Sequence, residues 1–415
     1  MSSVHVVGAG LAGLAAALRL AQARRTVVLH EASRQAGGRC RSYLDATLGC
    51  RIDNGNHLLI AGNTAAMAYL DAIGARDTLV GPGEPAYPFL DVETGERWTL
   101  RPNAGRIPWW VWSSRRRVPR TTPRDYLRAL RLRHARAEAT VAATLAGDKL
   151  FRRLWQPLAV AALNTEAEAG QARLLSRVLR ETFGRGGAAC RPLVPREGLS
   201  ESLIDPALAR LSMLGAAVRF GSRLRAIEQA VSRVTALDFD DGRVELGAED
   251  AVVLAVTAPV AARVLAGLVV PDEFRAILNA HYRIAAPSGA PFFIGLVGGT
   301  AEWVFRKREV LSVTVSAADR FMDMPAEELA QLLWRDVARA YAMPDAPLPP
   351  WQVVKERRAT FAATRAQLAR RPKTRTDAEN LMLAGDWTDT GLPATIEGAI
   401  RSGFAAAAAL APQKT

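Results

Sequence analysis

The sequence is poor in the residues that form covalent cross-links and metal centres. It has only three cysteines, Cys40, Cys50 and Cys190, and no two of them form a Cys-x-x-Cys pair. Five histidines, at positions 5, 30, 57, 134 and 281, show none of the spacings typical of metal ligands. We therefore expect a reducing compartment, no disulfide framework and no metal in the site.

Long hydrophobic runs are also missing. The longest apolar region, residues 251–270, is interrupted by Pro259 and Arg263, so it falls short of the about 20 apolar residues that a membrane-spanning helix needs. The first apolar run leads directly into glycines and shows no signal-peptide pattern, which predicts a cytoplasmic location. A hydrophobic content of 49% is typical of a globular protein, and a length of 415 residues predicts two domains.

Lysine is scarce as well, because only five occur and arginine carries almost all of the net charge of +13. Arginines cluster over residues 115–136, directly after Pro108-Trp109-Trp110-Val111-Trp112. Three interpretations of this Trp/Arg segment, Trp109–Arg136, remain open. It could contact an anionic membrane surface, line an internal pocket beneath a solvated helix face, or bind nucleic acid. No nucleic-acid motif accompanies it, so we expect peripheral contact with the inner face of the membrane and no nucleic-acid partner.

The first forty residues contain a glycine motif between two predicted strands. The apolar run at residues 4–7 is followed by Gly8-Ala9-Gly10-Leu11-Ala12-Gly13, a helical stretch to about Ala23, and a second apolar run at residues 26–30. That second run ends at Glu31, where a carboxylate can accept hydrogen bonds from ribose hydroxyls. This order of strand, glycine turn, helix, strand and acid predicts a dinucleotide site.

Each glycine of the motif has its own expected role. Gly8 allows a tight turn, Gly10 lets the backbone approach a pyrophosphate, and Gly13 lets the helix pack close to the strand. Free N–H groups at the helix start, which includes Leu11 and Ala12, then face the phosphates.

The segments after Glu31 and Ala32 indicate which dinucleotide is bound. Gly37-Gly38-Arg39 and then Asp53-Asn54-Gly55-Asn56-His57 follow. The Gly-Gly-Arg turn resembles that of flavoproteins of the glutathione-reductase-like superfamily. The resemblance implies FAD, with Gly38 and Arg39 at the pyrophosphate and with Gly55, Asn56 and His57 near the flavin ring.

A third signal lies near the other end of the chain. Residues 381–388, Leu-Met-Leu-Ala-Gly-Asp-Trp-Thr, predict a buried strand that leads into a turn, and a helix begins near Thr395 and Ile396. Asp386, which follows Gly385, could accept a hydrogen bond from the ribitol chain. The start of the helix would provide a second set of N–H donors for the cofactor.

Together the two ends resemble the amine-oxidase and carotenoid-desaturase flavoprotein group. The stretch at residues 385–403 is similar to carotene desaturases and to squalene-associated FAD-dependent oxidoreductases. Two central stretches, residues 154–165 and 193–200, are similar to the hopanoid-pathway enzymes that convert hydroxysqualene to squalene. The resemblance implies an α/β fold: a Rossmann-like, glutathione-reductase-like FAD-binding domain with an inserted mixed substrate domain.

The resemblance also implies an activity, namely the reductive removal of the hydroxyl group of hydroxysqualene. The sequence has no second Gly-x-Gly-x-x-Gly motif for a nicotinamide cofactor, so an external donor must reduce the flavin. A phytoene-type carotenoid desaturase is the main alternative, and a non-enzymatic lipid-binding protein on the same fold is another. An amine oxidase is less expected, because residues 351–384 contain no tyrosine for an aromatic cage and Lys307 stands beside charged neighbours.

Three polar residues are candidates for groups near the substrate hydroxyl: Asn164, Glu181 and His57. Each also has a structural interpretation, since Asn164 could cap the helix that ends at Leu163 and Glu181 could pair with a nearby arginine. By the same resemblance, the backbone near Leu224 meets the adenine.

The cofactor domain is expected to be discontinuous. We assign it residues 1–62, 196–265 and 375–415. A substrate domain then comprises residues 63–195, helical and in part membrane-facing, and residues 266–374, with strands near 292–297, 302–305 and 310–315 and a helix over 327–342.

Overall fold

The computed structural model describes residues 2–147, 149–343 and 345–411. Its strands are β1 Ser3–Val7, β2 Thr26–Glu31, β3 Ser42–Asp45, β4 Cys50–Asp53, β5 Leu59–Ile60, β6 Leu79–Val80, β7 Tyr87–Asp91, β8 Arg97–Leu100, β9 Pro192–Pro195, β10 Ala217–Phe220, β11 Leu224–Ala230, β12 Arg233–Phe239, β13 Gly242–Glu245, β14 Ala251–Leu254, β15 Phe274–Arg283, β16 Phe293–Val297, β17 Trp303–Lys307, β18 Val310–Val315, β19 Trp351–Phe361 and β20 Leu381–Leu383.

Helices connect these strands. The α-helices are α1 Leu11–Gln22, α2 Thr64–Ala72, α3 Pro123–Leu127, α4 Val141–Leu145, α5 Gln156–Leu163, α6 Ala172–Glu181, α7 Asp205–Met213, α8 Ala258–Val264, α9 Ala326–Ala340, α10 Arg365–Ala369 and α11 Ile396–Ala409. Short 3₁₀ turns include Trp109–Trp112 and Arg128–His134, and π-helical turns lead into α5 and α7.

A parallel five-stranded sheet forms the cofactor domain, in the order β10-β2-β1-β14-β20. Val4 of β1 lies between Val27 of β2 and Ala251 of β14, so segments more than 200 residues apart pair directly. Every residue of β14 and β20 is buried, as expected for strands covered on both faces. The expected α/β class and the discontinuous sheet are therefore present.

Two helices rich in small residues, α1 and α11, pack against each other on one face of this sheet. A Cβ atom built on Gly403 would lie 2.1 Å from the carbonyl oxygen of Ala12. Only glycine permits this approach, so the small residues near the C-terminus serve helix packing beneath the site.

The residues that follow the predicted boundary at residue 62 pack against the cofactor domain. In α2, Tyr69 and Leu70 are fully buried in the core that also contains α1, and the Tyr69 hydroxyl donates to the Leu203 carbonyl at 2.8 Å. The carboxylate of Glu397 accepts the N–H groups of Ala65 and Ala66 at the start of α2. We therefore propose that residues up to about 80 belong to the cofactor domain.

A mixed seven-stranded sheet, in the order β19-β15-β18-β17-β16-β7-β8, forms the second layer. The expectation that residues 63–195 are helical is wrong for β7 and β8, which extend this sheet from that segment. Helix α9 covers one face with Leu329, Leu333 and Val337, which are all fully buried. The predicted strands near 292–297, 302–305 and 310–315 and the predicted helix near 327–342 are present.

The remaining helical segment, from the 3₁₀ turn at Trp109–Trp112 to α6, forms a third apolar cluster. Trp110 packs edge-on against Tyr126, which in turn packs edge-on against Trp155. Among the described residues, no helix has both the length and the hydrophobicity needed to cross a bilayer.

Candidate cofactor and substrate site

The glycine motif forms the tight turn that its spacing predicts. Gly8 has a φ of +104°, and a Cβ atom there would lie 2.6 Å from the Ala255 carbonyl oxygen. A Cβ atom on Gly13 would lie 1.8 Å from the Gly8 carbonyl oxygen. On Gly10, by contrast, a Cβ atom would meet no described atom within 4 Å. Gly10 thus faces open space at the start of α1, where Leu11 and Ala12 begin the helix.

Glu31 closes this turn from the end of β2. Its carboxylate accepts the backbone N–H of Ala9 at 2.8 Å and that of Ser33 at 2.9 Å, while Ala32 lies exposed beside it. The acid is therefore held beside the glycine turn, and a ribose contact stays a prediction. Leu224, the predicted adenine neighbour, is buried at the first position of β11.

Arg39 and Asp386 meet, although 347 residues separate them. Nη2 of Arg39 lies 2.7 and 2.8 Å from the two carboxylate oxygens of Asp386, and Nη1 donates to the Ala359 carbonyl. The carboxylate of Asp386 raises the pKa of Arg39, which therefore stays charged. A Cβ atom on Gly38 would lie 3.7 Å from Cα of Gly10, so the Gly-Gly-Arg turn, the glycine motif and the end of β20 converge.

The helix that the sequence predicts near Thr395 is also present. Gly385, with a φ of +151°, donates its N–H to the hydroxyl of Ser402 within α11. Thr395 caps α11, and its hydroxyl accepts the N–H of Gly398 at 3.1 Å. Ile396 is the first helical residue, so the start of this helix lies close to the end of β20.

The segment that contains Gly55, Asn56 and His57 lies between the two layers. The side-chain amide of Asn56 donates to the Thr314 hydroxyl at 3.2 Å, while its Oδ1 atom is buried and has no partner among the described residues. Burial lowers the pKa of His57 to about 4, so this imidazole is neutral near pH 7. An unpaired acceptor, the open space at Gly10 and the start of α11 together fit a flavin dinucleotide.

A large apolar cavity of about 1230 Å³ lies in the helical part of the molecule. Trp110, Tyr126, Leu132 and Trp155 are among its lining residues. One wall includes Arg177, whose Nη1 lies 3.4 Å from the position of a Cβ atom on Gly391, in the loop between Asp386 and α11. The cavity therefore borders the loop that leads into the cofactor helix.

Comparison with known families decides what this arrangement is. Residues 11–286 and 291–411 match the model of the flavin-containing amine oxidoreductases. The chain belongs to this family. The predicted membership of the amine-oxidase flavoprotein group is thus confirmed.

Curated relatives of this flavoprotein extend over nearly its whole length. A protein named hydroxysqualene dehydroxylase from Rhodopseudomonas palustris is 50% identical to it, and the match covers 98% of this chain and 97% of the relative. A protein of the same name from Zymomonas mobilis is 44% identical, and the match covers 98% of each chain. A Synechococcus elongatus protein named "Probable zeta-carotene desaturase" is 24% identical over 98% of each chain.

Solved structures support the fold. Cyclohexylamine oxidase from Brevibacterium oxydans superimposes with a TM-score of 0.71 at 16% identity, over 99% of this chain and 98% of that one. An oxidoreductase from Methanosarcina mazei superimposes with a TM-score of 0.73 at 14% identity, over 97% of this chain and 99% of that one. The predicted α/β architecture with an inserted mixed domain is therefore confirmed.

Two of the three candidate catalytic residues of this flavoprotein are held in structural contacts. Asn164 ends α5 in the left-handed conformation, donates to the Thr360 hydroxyl at 2.9 Å and accepts the N–H of Ala317 at 2.7 Å. Glu181 forms an ion pair with Arg401 of α11, and this contact keeps the pKa of Glu181 below its usual value. Asn164 thus has the expected capping geometry, and Glu181 pairs with a different arginine from those near it in sequence.

Sequence reasoning missed a buried ion pair beside His57. Lys307 of β17 donates to the carboxylate of Asp53, which also accepts the hydroxyl of Ser42 and the N–H of Leu199. Burial favours a higher pKa for Asp53, but the ion pair with Lys307 lowers it overall. Lys307, which stands beside charged neighbours in the sequence, thus has a largely buried side chain that joins the mixed sheet to the cofactor domain.

Proposed function

We propose that this flavoprotein is an FAD-dependent hydroxysqualene dehydroxylase, which converts hydroxysqualene to squalene. The observation that carries the proposal is the large apolar cavity that borders the loop between Asp386 and α11. Its volume of about 1230 Å³ exceeds the roughly 300–1,000 Å³ of ordinary ligand pockets, as a long isoprenoid chain requires. The full-length relatives named hydroxysqualene dehydroxylase support the same substrate.

The residues of the site divide into two groups under this proposal. Gly10, Arg39, Asp386 and the start of α11 hold FAD, which supplies hydride chemistry when bound. The expected contacts of Glu31 with the ribose and of Leu224 with the adenine belong to the same group. Under this proposal, the apolar walls of the cavity hold the hydrocarbon chain of the substrate. The reaction needs a proton and a hydride equivalent and releases water.

His57 is the candidate that the geometry leaves closest to this chemistry. It lies half-buried between the two layers, next to the ion pair of Asp53 and Lys307, and it has no hydrogen-bond partner among the described residues. We propose that its imidazole contacts the flavin or the substrate. Asn164 and Glu181 are, in this view, structural.

The second candidate function is a carotenoid desaturase. The apolar lining of the cavity would also suit a polyene, and the 24% identical relative from Synechococcus elongatus carries such a name. A desaturase needs oxidised flavin, whereas dehydroxylation needs reduced flavin. The two functions therefore demand opposite redox states. A lipid-binding protein without catalysis would need neither.

We also propose that the protein associates peripherally with an anionic membrane surface and receives electrons from an external donor. Large apolar side chains are exposed near the cavity, with Trp112 67% and Leu130 60% exposed. Both residues also line the cavity. An insoluble substrate could pass from a bilayer into the cavity at this place.

Anaerobic turnover of the purified protein tests the proposal. With hydroxysqualene and chemically reduced flavin, we expect a product with the mass of squalene. With hydroxysqualene and oxidised flavin, we expect no product. A parallel reaction offers phytoene with oxidised flavin. Conversion of phytoene alone would establish the desaturase, and a flavin-free protein that binds lipid would establish the non-enzymatic function.

A further inference from the structure

The apolar cavity has a charge that the proposed neutral substrate does not explain. Six arginines line it, from three different parts of the helical segment: Arg106, Arg124, Arg133, Arg173, Arg177 and Arg180. No carboxylate belongs to the described residues that line it. A hydrocarbon alcohol needs apolar walls and one or two polar groups, so this excess of positive charge calls for a different ligand group.

Three of these arginines form one stripe. Arg173, Arg177 and Arg180 are spaced i, i+4 and i+7 along α6, which places them on the same face of the helix. All three side chains are exposed, and none forms an ion pair with a carboxylate of the described chain. Glu181, the neighbouring acid, is instead bound by Arg401.

We propose that this cavity binds long-chain isoprenoid phosphate esters, with the hydrocarbon in the apolar interior and the phosphate on the arginines of α6. Guanidinium groups form charge-assisted, often bidentate hydrogen bonds with phosphate oxygens. Isoprenoid chains commonly occur as mono- or diphosphate esters, which combine an apolar chain with an anionic end group. Such a ligand would compete with the alcohol for the same cavity. This inference uses the cavity assigned to the substrate above, but it concerns binding and needs no turnover.

Calorimetric titration of the FAD-loaded protein tests the proposal. Farnesyl diphosphate supplies chain and charge, farnesol supplies the chain alone, and inorganic pyrophosphate supplies the charge alone. We expect farnesyl diphosphate to bind about tenfold or more tightly than farnesol, and pyrophosphate to bind weakly, with a preference that declines as salt is added.

Variants assign that preference to α6. The pair Arg177→Gln and Arg180→Gln should abolish it and leave farnesol binding unchanged, while Arg177→Lys with Arg180→Lys should retain most of it. Arg263→Gln with Arg335→Gln removes the same charge from exposed positions on α8 and α9 and should have no effect. Visible absorbance checks the flavin content of each variant.

If flavin content falls in the α6 pair, the single variants Arg177→Gln and Arg180→Gln replace it, and each should lose part of the preference. Equal affinity of the wild type for farnesyl diphosphate and farnesol, or a preference that persists after the α6 arginines are replaced by glutamine, would overturn the proposal. The proposal would also be overturned if the α6 variants bound phosphatidylglycerol vesicles more weakly than the wild type but kept its preference for farnesyl diphosphate. The arginines would then serve only lipid headgroups. Binding of the diphosphate without turnover of hydroxysqualene would instead contradict the function proposed above.

Discussion

The glycines of the turn differ in what a Cβ atom added to each of them would meet. Gly8 and Gly13 lie against backbone oxygens, while Gly10 faces open space. Gly8 and Gly13 are therefore required by the fold of the protein itself. Gly10 is required only by what binds beside it. The same motif thus contains both folding and binding positions, and substitution can separate them.

We predict that Gly10→Ala reduces FAD affinity while the apoprotein remains as stable as the wild type. Gly10 has a φ of −74° and a ψ of 176°, which alanine adopts readily, but its methyl group would occupy the space of the pyrophosphate. Gly13→Ala should instead destabilise the apoprotein by about 1–3 kcal/mol or more through overpacking. Flavin titration and urea unfolding of both apoproteins check this, and a large loss of apoprotein stability in Gly10→Ala would contradict it.

Glu302 is a residue whose protonation should alter stability. Its carboxylate accepts the N–H of Ser316 at 2.8 Å, and burial raises its pKa to about 7, against an ordinary value of 4.5. The folded state therefore holds this proton more tightly than the unfolded state. The resulting stabilisation is complete below about pH 4.5 and is lost as the pH rises through about 7.

We predict that Glu302→Gln removes this pH dependence, since glutamine keeps an acceptor for the Ser316 N–H but cannot ionise. The difference in unfolding free energy between variant and wild type should grow in favour of the variant by about 2–3 kcal/mol from about pH 4.5 to above pH 7. Urea unfolding at several pH values measures it. A constant difference across that range would show that the wild-type carboxyl is not perturbed.

At the level of elements, the sequence predicted the regular parts and missed the strands whose polar side chains find remote partners. Strands β1, β2, β14 and β20 were predicted because parallel strands form apolar runs. Strand β19 was missed, since Lys355 and Arg357 interrupt its pattern. In the structure these two side chains donate to the carbonyl oxygen of Met322, a contact that no local pattern can indicate.

The candidate site follows the same division. Gly8, Gly10 and Glu31 belong to one short motif, so their proximity follows from local geometry. The ion pair of Asp53 with Lys307 joins residues 254 positions apart, and only the assembled layers bring them together. The partner of Glu181 was likewise predicted incorrectly, because Arg401 lies on a different helix.

The contact between α1 and α11 yields a prediction for helix packing. Gly403→Ala should destabilise the protein by about 1–3 kcal/mol or more and lower its flavin content, because the new methyl group would strike the Ala12 carbonyl oxygen. Ala408→Gly, at an exposed position of the same helix, should cost only about 1 kcal/mol and leave flavin content unchanged. Thermal unfolding and visible absorbance measure both, and equal effects would argue against the close packing.

For the whole molecule, the apolar cavity lies in the helical segment, beside the loop between Asp386 and α11. The Trp/Arg segment contributes both buried and exposed side chains to this region. Trp110 is buried and lines the cavity, while Trp109 is 52% exposed with Arg116 over its ring. Pocket lining is therefore present at Trp110, and membrane contact by the exposed tryptophans stays a prediction.

We predict that membrane binding depends on the exposed tryptophans of the Trp/Arg segment, Trp109 and Trp112. The wild type should bind phosphatidylglycerol vesicles more strongly than phosphatidylcholine vesicles, and salt should weaken the binding because it screens arginine charges. Trp109→Ser with Trp112→Ser should lower the affinity about tenfold, since both rings would leave the lipid interface. Flotation of the protein with vesicles measures this.

The matched control removes exposed apolar side chains elsewhere. Phe220 is 44% exposed on β10, and Val231 is fully exposed in the turn after β11, both in the cofactor domain. Phe220→Ser with Val231→Ser should leave vesicle binding unchanged if the Trp/Arg segment alone faces the bilayer. Equal recovery of the wild type with both vesicle types, or an equal loss in the control, would mean that the exposed tryptophans do not orient the protein on a membrane. The substrate would then have to reach the cavity through water or from a carrier.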